Sequence, residues 1–552
     1  MKCFKLSSLC VICCVLGVRC IFTPTITIGQ GKLRGLKSFS GQNRYYSIQY
    51  AVSERFQPPK DPPEWQGIFN AIKFSAPCAQ IVEYLIMGTE KCLNLDVYTP
   101  ERAQPGDRLP VLVFLHGGAY YYGSKNHYDP EFLVTKNVVA VIVNYRVGVL
   151  GFLCLGGVAN LGLKDQVAAL KWIRKNISSF GGDPDNVTLS GQSAGAASAA
   201  MHMLSESSRG LFQKLILMSG SPLAPWAFNV ETYEPAFRDA SKLAKVKNEN
   251  DIVEVFSNST LFDLLAVSRD VSKDSRYFKY SPCVDSESND PFFKDAPFNL
   301  IKSERFNKVP MLIGFSSLEG LLFYGLHDDA SLRSWDKNFT HRLPSVFTWC
   351  SSEDREEIGK QMREYYFANK SICKSSFEGI ISYYSDWIAY SSVSAFSNLM
   401  TKYGDRAVYN YIFDYEGERN FAKFLFQSNT KLRGSSHSDD IFYVFKPIGL
   451  SIPLTNQDKM CIDRLTVMFT NFMKYGDPTP YKSRLLPVRW PASTINSSMY
   501  LRVGHRLSVT ELASNFRGEF FRRMLCTYGQ SGYVPCESER KCHTKKYDEH
   551  KK

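Results

Sequence analysis

The chain has 552 residues, 44% of them apolar, and a formal net charge of +12 from 66 Lys and Arg against 54 Asp and Glu. That apolar share is ordinary for a globular protein and excludes a disordered or fibrous chain. The basic excess is spread out, with a modest cluster at 540–546 and no zinc spacing or base-stacking aromatic pattern, so nucleic acid is not an expected partner.

Residues 1–20 read as a secretory signal peptide. Lys2 and Lys5 precede an apolar stretch, 6–18, that is too short to span a bilayer. No later run reaches the roughly 18 apolar residues of a membrane helix, and the C-terminus carries neither a hydrophobic anchor tail nor an ER-retention tetrapeptide. The expectation is a soluble, secreted, extracellular protein without a membrane anchor. No linker, repeat or low-complexity tract divides it, so 21–525 is expected to be one domain with long insertions. Residues 526–552 form a basic, cysteine-containing tail. Of 15 cysteines, Cys3, Cys10, Cys13, Cys14 and Cys20 lie in the signal. The others are free to pair in an oxidising compartment. Cys78 and Cys92 bracket a short loop and are the best pair. The connectivity of the rest is open, with Cys526, Cys536 and Cys542 clustered in the tail and Cys350 and Cys373 flanking a charged helical stretch.

Along the chain, residues 25–33 alternate around Gly29 and Gly31 and predict a hairpin. Gly29-Gln30-Gly31 does not continue as a dinucleotide loop. Short apolar runs at 111–115, 138–143, 187–189, 215–218, 310–315 and 408–413 predict strands covered on both faces. Between them, Val167, Leu170, Ile173 and Ile177 mark the apolar face of a helix, with Lys164, Lys171 and Lys175 off it. Alternating strands and helices predict an α/β fold around a large, mostly parallel sheet.

Ser193 stands in Gly191-Gln192-Ser193-Ala194-Gly195, between the run 187–189 and an alanine-rich helix predicted over 194–204. Strand, glycine-flanked serine and helix make the sharp turn of a nucleophile elbow, which exposes the serine oxygen above the sheet. A serine nucleophile needs a base, a group to orient that base, and donors for an oxyanion. His437, in the small polar loop 434–440, is the candidate base. His202, on the helix after Ser193, is expected to be structural. Glu319 follows the strand run 310–315 and is the candidate acid, with the order Ser, acid, His that this fold uses. Asp439 and Asp440 are the alternatives. The run 111–115 leads into His116-Gly117-Gly118-Ala119-Tyr120, a loop able to supply oxyanion donors. The amide of Ala194 is the further donor.

Asn176, Asn186, Asn258, Asn338, Asn369 and Asn496 each open a glycosylation sequon. Asn186 introduces the strand before the nucleophile and is expected to be bare. The other five are candidates where exposed.

Two long segments carry a family resemblance: Phe180-Gly181-Gly182-Asp183-Pro184-Asp185-Asn186-Val187-Thr188-Leu189-Ser190-Gly191-Gln192-Ser193-Ala194-Gly195, and Glu90-Lys91-Cys92-Leu93-Asn94-Leu95-Asp96-Val97-Tyr98-Thr99-Pro100. Asn144-Tyr145-Arg146 and Gly148-Val149-Leu150-Gly151-Phe152 add to it. On these the chain resembles the type-B carboxylesterases, a family that includes cholinesterases and insect esterases, from about residue 25 to 511. The resemblance implies an α/β-hydrolase fold with the active site at the bottom of a gorge built by insertions. It implies Ser193 as nucleophile, His437 as base, Glu319 as acid, and Gly118, Ala119 and Ala194 as oxyanion donors. It also implies a Cys78–Cys92 disulfide and structural ion pairs Arg55–Glu90 and Arg146–Asp165. Lys91 and Ala119 depart from the usual Asp and Gly. Gln192 stands where most members have Glu, and is similar in this to insect juvenile hormone esterases and some antennal esterases. No tryptophan lies between Cys78 and Cys92, where choline-binding relatives carry one.

The function expected from these residues is hydrolysis of apolar carboxylic esters through an acyl-enzyme, with no cofactor and no metal. The physiological ester, whether a general detoxification substrate, juvenile hormone or an odorant ester, and the oligomeric state are left open. The rival is a catalytically inactive binding or adhesion ectodomain of the same family.

Overall fold

The computed structural model describes residues 21–82, 85–230, 232–269, 279–426, 432–512, 518–537 and 542. The expected signal peptide lies outside the described residues. The core is an 11-stranded sheet. In chain order its strands are β1 (Leu36–Lys37), β2 (Gln42–Gln49), β3 (Asn94–Pro100), β4 (Leu109–Leu115), β5 (Val139–Val143), β6 (Gly182–Gln192), β7 (Lys214–Met218), β8 (Met311–Ser316), β9 (Val408–Phe413), β10 (Met499–Val503) and β11 (Leu507–Glu511). In space the order is β11-β10-β9-β8-β7-β6-β4-β5-β3-β2-β1. The joins from β10 through to β5 are parallel, and those at the two ends are antiparallel. The fold is that of the α/β hydrolases.

The strand sequences explain the layering. In β5, Val-Ala-Val-Ile-Val, every residue is fully buried. Val139, Val141 and Val143 point into one core layer, and Ala140 and Ile142 into the other. In β4, Val111, Val113 and Leu115 share the first layer, while Leu112 and Phe114 share the second. A two-residue period buried on both sides requires helices on both faces. Leu161–Asn176 and Ala194–Leu204 are two of those helices. The early hairpin pairs Ile26–Ile28 with Gly31–Arg34. Gln30 at its turn accepts a hydrogen bond from Trp172 Nε1 (2.6 Å), which fastens it to the first of those helices.

Each of the six predicted strand runs lies on a strand, and the helix after Ser193 spans Ala194–Leu204 as predicted. The run 187–189 is the end of a longer strand, β6, that begins at Gly182. Lys164 was expected off the apolar face, yet it is buried, with Asp285 Oδ2 3.5 Å from its Nζ.

Among the described residues four disulfides join Cys78–Cys92, Cys154–Cys283, Cys350–Cys542 and Cys526–Cys536. Cys373 and Cys461 are unpaired, so Cys350 reaches the tail and not its neighbour in sequence. The helix Glu519–Tyr528 runs through the expected boundary at 525. Val534 beyond it is buried, and Gly532 O accepts from Phe298 N (2.9 Å), so this stretch packs on the body of the sheet domain. Among the described residues no helix is long and apolar enough to cross a membrane.

Candidate active site

The serine elbow follows from close approaches that only glycine permits. A Cβ at Gly191 would lie 2.2 Å from Gly195 C, and one at Gly195 would lie 2.0 Å from Leu115 O. With both absent, β6 turns abruptly into the helix Ala194–Leu204. Ser193 sits at the turn with φ 56° and ψ −124°. That conformation is strained for a side-chain-bearing residue, by about 1–3 kcal/mol. Ser193 N donates to Met218 O on β7 (2.8 Å), and Gly220 leaves room for Ser193 O. No side chain caps the helix, so the N–H of Ala194, first in the helix, has no intrahelical partner.

The loop after β4 lies directly beside the elbow. A Cβ at Gly117 would fall 3.1 Å from Ser193 Cβ, and Gly118 takes a φ of 113° that an L side chain resists. Ala119 and Tyr120 follow at φ 57° and 63°. His116 anchors this loop. Its ring stacks on Tyr145 at 4.3 Å, Tyr145 OH donates to His116 O (2.6 Å), and burial pushes its pKa down to about 4. Tyr120 packs wholly inside, between Phe152 and Trp226, whereas Tyr122 is exposed.

Glu319 is fully buried just past β8. Its Oε2 accepts from His437 Nδ1, and its Oε1 accepts from Ser219 Oγ (2.6 Å) and Ser316 N (2.6 Å). Three donors on one carboxylate compensate its burial. The loops that carry Glu319 and His437 are stitched together beside these residues. Leu318 N donates to Ser435 O (2.8 Å), and Ser435 N donates to Ser317 Oγ (3.0 Å). Tyr390, at the end of the π-helical turn Asp386–Tyr390, donates its hydroxyl to Ser317 O. Gly320 N donates to Ser385 Oγ (2.9 Å).

The other ring nitrogen of His437, Nε2, lies 3.2 Å from Gln192 Nε2, on the residue adjoining Ser193. His437 is thus held between Glu319 and the elbow. The Phe323 ring stands 6.2 Å from the imidazole.

Neither alternative acid touches the imidazole. Asp439 accepts from Ser436 N (2.7 Å), Lys423 N (3.0 Å) and Asn420 Nδ2 (3.1 Å), and burial pushes its pKa up to about 7. Asp440 accepts from Tyr411 OH (2.9 Å), and burial pushes it up to about 6. His202 is fully enclosed, with Nε2 on Gln166 Oε1 (2.8 Å) and Nδ1 on Ser208 Oγ (2.7 Å). Ser219 is a site residue that the sequence reading passed over. The signal was present, since it follows the end of β7, and strand ends are where sites collect in such sheets.

Around the site, Arg55 pairs with Glu90 (2.5 Å) and buried Arg146 with Asp165 (2.7 Å). Asn176 lacks the exposure a glycosylation acceptor requires. Its Oδ1 accepts from Gly29 N (3.0 Å), and its Nδ2 donates to Trp172 O (3.0 Å). Asn258, Asn338, Asn369 and Asn496 are exposed. Among the described residues no cluster of His, Cys, Asp and Glu is suited to hold a metal ion.

The family model described as "Carboxylesterase family" matches residues 23–521. Esterase FE4 of Myzus persicae is 32% identical over 501 residues, covering 84% of this chain and 87% of its own. Juvenile hormone esterase of Tribolium castaneum is 29% identical over 513 residues, covering 84% and 86%. The crystal structure of juvenile hormone esterase from Manduca sexta, with OTFP covalently attached, superposes with a TM-score of 0.82 at 27% identity, covering 91% of this chain and 99% of that one. A glycine-built serine elbow, a buried carboxylate on a histidine that reaches it, and a match across nearly the whole chain make this protein a member of the carboxylesterase family.

Proposed function

We propose that the protein is a secreted serine carboxylesterase acting on apolar, neutral carboxylic esters through an acyl-enzyme. The observation that carries this reading is the link from Glu319 through His437 to the elbow that presents Ser193. In this mechanism His437 Nε2 takes the proton of Ser193 Oγ as the oxygen attacks the ester carbonyl. Glu319 fixes the Nδ1–H tautomer and stabilises the imidazolium. The N–H groups of Gly118, Ala119 and Ala194 receive the oxyanion, each contributing about 3 kcal/mol to the barrier reduction. The leaving alcohol takes the proton back. Water, activated by the same histidine, then releases the acid.

Secretion is supported by four disulfides, which persist in oxidising compartments. Asn258, Asn338, Asn369 and Asn496 are proposed carbohydrate acceptors. Two relatives carry the name juvenile hormone esterase, so a methyl ester of that kind belongs among the first substrates to try. The test is hydrolysis of a chromogenic short-chain ester, with organophosphate labelling read by peptide mass. Turnover and a label on Ser193 are expected, with Ser193→Ala folded, secreted and slower by ~10⁴-fold or more. No turnover by the wild type would leave an inactive binding ectodomain as the reading.

A further inference from the structure

We propose that Gln192 is a positioning residue that holds His437 in its proton-accepting form, and that its neutrality sets the acid limit of catalysis. The proposal rests on the esterase reading above and extends it to the side chain next to the nucleophile. Gln192 is only 4% exposed. Its Nε2 lies 3.2 Å from His437 Nε2 and 2.7 Å from Ser438 Oγ. An amide nitrogen donates and does not accept. A hydrogen bond to His437 Nε2 therefore requires a lone pair there, with the ring proton on Nδ1, where Glu319 Oε2 accepts it. That is the tautomer a general base needs; Nε2 has a single lone pair, so the Ser193 hydroxyl displaces the Gln192 N–H from it before handing over its proton. Glu319 selects it from one side of the ring and Gln192 from the other.

The carboxamide is itself held in place. One N–H goes to Ser438, in the base's own loop. Its Oε1 and main-chain O occupy the space of a side chain at Gly117, whose Cβ would lie 2.7 Å from each. The oxyanion loop, the elbow and the base loop thus meet at this residue.

Proton transfer reverses the interaction. When Nε2 gains the Ser193 proton it becomes a donor facing a donor, so the Gln192 bond favours the neutral ring alone. A carboxylate at this position would accept the new N–H and hold the imidazolium between two anions. Among the described residues the other charged groups near the ring are Glu319, on Nδ1, and Asp440, whose carboxyl senses both Glu319 and His437 while bonded to Tyr411 OH. Asp439, in the same loop, turns instead to Ser436 N, Lys423 N and Asn420. Gln192 keeps a further negative charge away from Nε2, and so keeps the base free to lower pH.

The experiment is the pH dependence of kcat/KM for a neutral nitrophenyl ester in wild type, Gln192→Glu and Gln192→Met. Gln192→Glu should move the acid limb upward by about one pH unit or more, as an opposite charge within hydrogen-bond reach favours the protonated ring. Gln192→Met, which removes the donor that favours the neutral ring and adds no charge, should move the limb upward too, by less than Gln192→Glu does, about half a unit. A readout that needs no turnover is the low-field proton resonance of the His437–Glu319 hydrogen bond, titrated in a Ser193→Ala background with and without Gln192→Glu. The same upward displacement is expected there. Limbs and resonances that coincide for Gln and Glu would overturn the proposal. If the wild type hydrolyses no ester, the esterase reading falls and the resonance still decides the role of Gln192. Should Gln192→Glu fail to fold, an acid limb in Gln192→Met that coincides with the wild type overturns the proposal by itself.

Discussion

Two buried histidines follow the serine elbow in the chain, and their surroundings make them opposites. His202 lies in the helix behind Ser193, bonded to two neutral groups, Gln166 and Ser208, and burial pushes its pKa down to about 3. His437 sits in a loop that the fold folds back over the strand ends, bonded to the carboxylate of Glu319 and reached by Gln192. An imidazole between neutral partners in a dry interior resists protonation and serves as packing. The same ring on a buried carboxylate has its positive form compensated, which a proton shuttle requires. Sequence distance from the serine does not sort them, because the nearer histidine is the one held by neutral partners alone.

Mutating the pair separates them most sharply. On the proposed mechanism His437→Ala should cost ~10⁴-fold or more in kcat, about as much as removing the serine, since triad members act as a unit. His202→Ala should change kcat by no more than about threefold. It should instead lower stability by about 3 kcal/mol, through a cavity and two stranded partners. Steady-state kinetics beside denaturant melts of both variants decides the matter, and a larger kcat loss for His202→Ala would exchange their roles.

Glu319→Gln tests the carboxylate that distinguishes the two environments. The fold should persist while kcat falls by about 10²- to 10⁴-fold, because a neutral partner neither fixes the tautomer nor stabilises the imidazolium. An unaltered rate would take Glu319 out of the mechanism.

The stability of the fold should carry the signature of the structural histidines. Burial holds His202 at about 3 and His116 at about 4, both below the unfolded value of 6.5. Below pH 6.5 the unfolded chain binds protons that the folded chain refuses. These two rings therefore lower stability as pH drops from 6.5 toward 4, by up to about 1.4 kcal/mol per pH unit for each, while Asp439 and Asp440, pushed up by burial to about 7 and about 6, bind protons in the folded chain and oppose that slope. Comparing denaturant midpoints at pH 7 and pH 5 in wild type and His202→Gln checks the share of that ring: on going to pH 5 the variant should lose less stability, or gain more, than the wild type does.

The smallest expected effect concerns the substrate. No tryptophan between Cys78 and Cys92 offers its face to a quaternary ammonium, and Gln192 is neutral. A neutral ester should exceed its choline counterpart of equal acyl length in kcat/KM at matched ionic strength. A choline preference of about tenfold would place a cation site elsewhere near Ser193.

Local pattern determined a great deal. The strands were legible because parallel strands buried on both faces need continuous apolar runs. The elbow was legible because its glycines are demanded by contacts between near neighbours in the chain: Gly191 meets Gly195. What local pattern did not carry is pairing across long separations. Glu319 and His437 stand 118 residues apart, and Gln192 and His437 stand 245 apart. That Gln192 reaches His437, that Ser219 holds Glu319, that Cys350 joins Cys542 across 192 residues, and that Asn176 is sealed under Gly29 were all decided by the tertiary structure. A residue's type limits which hydrogen bonds, charges and disulfides it can form. Which of them it forms depends on what the folded sheet brings within 3 Å, and that proximity is a property of the whole chain.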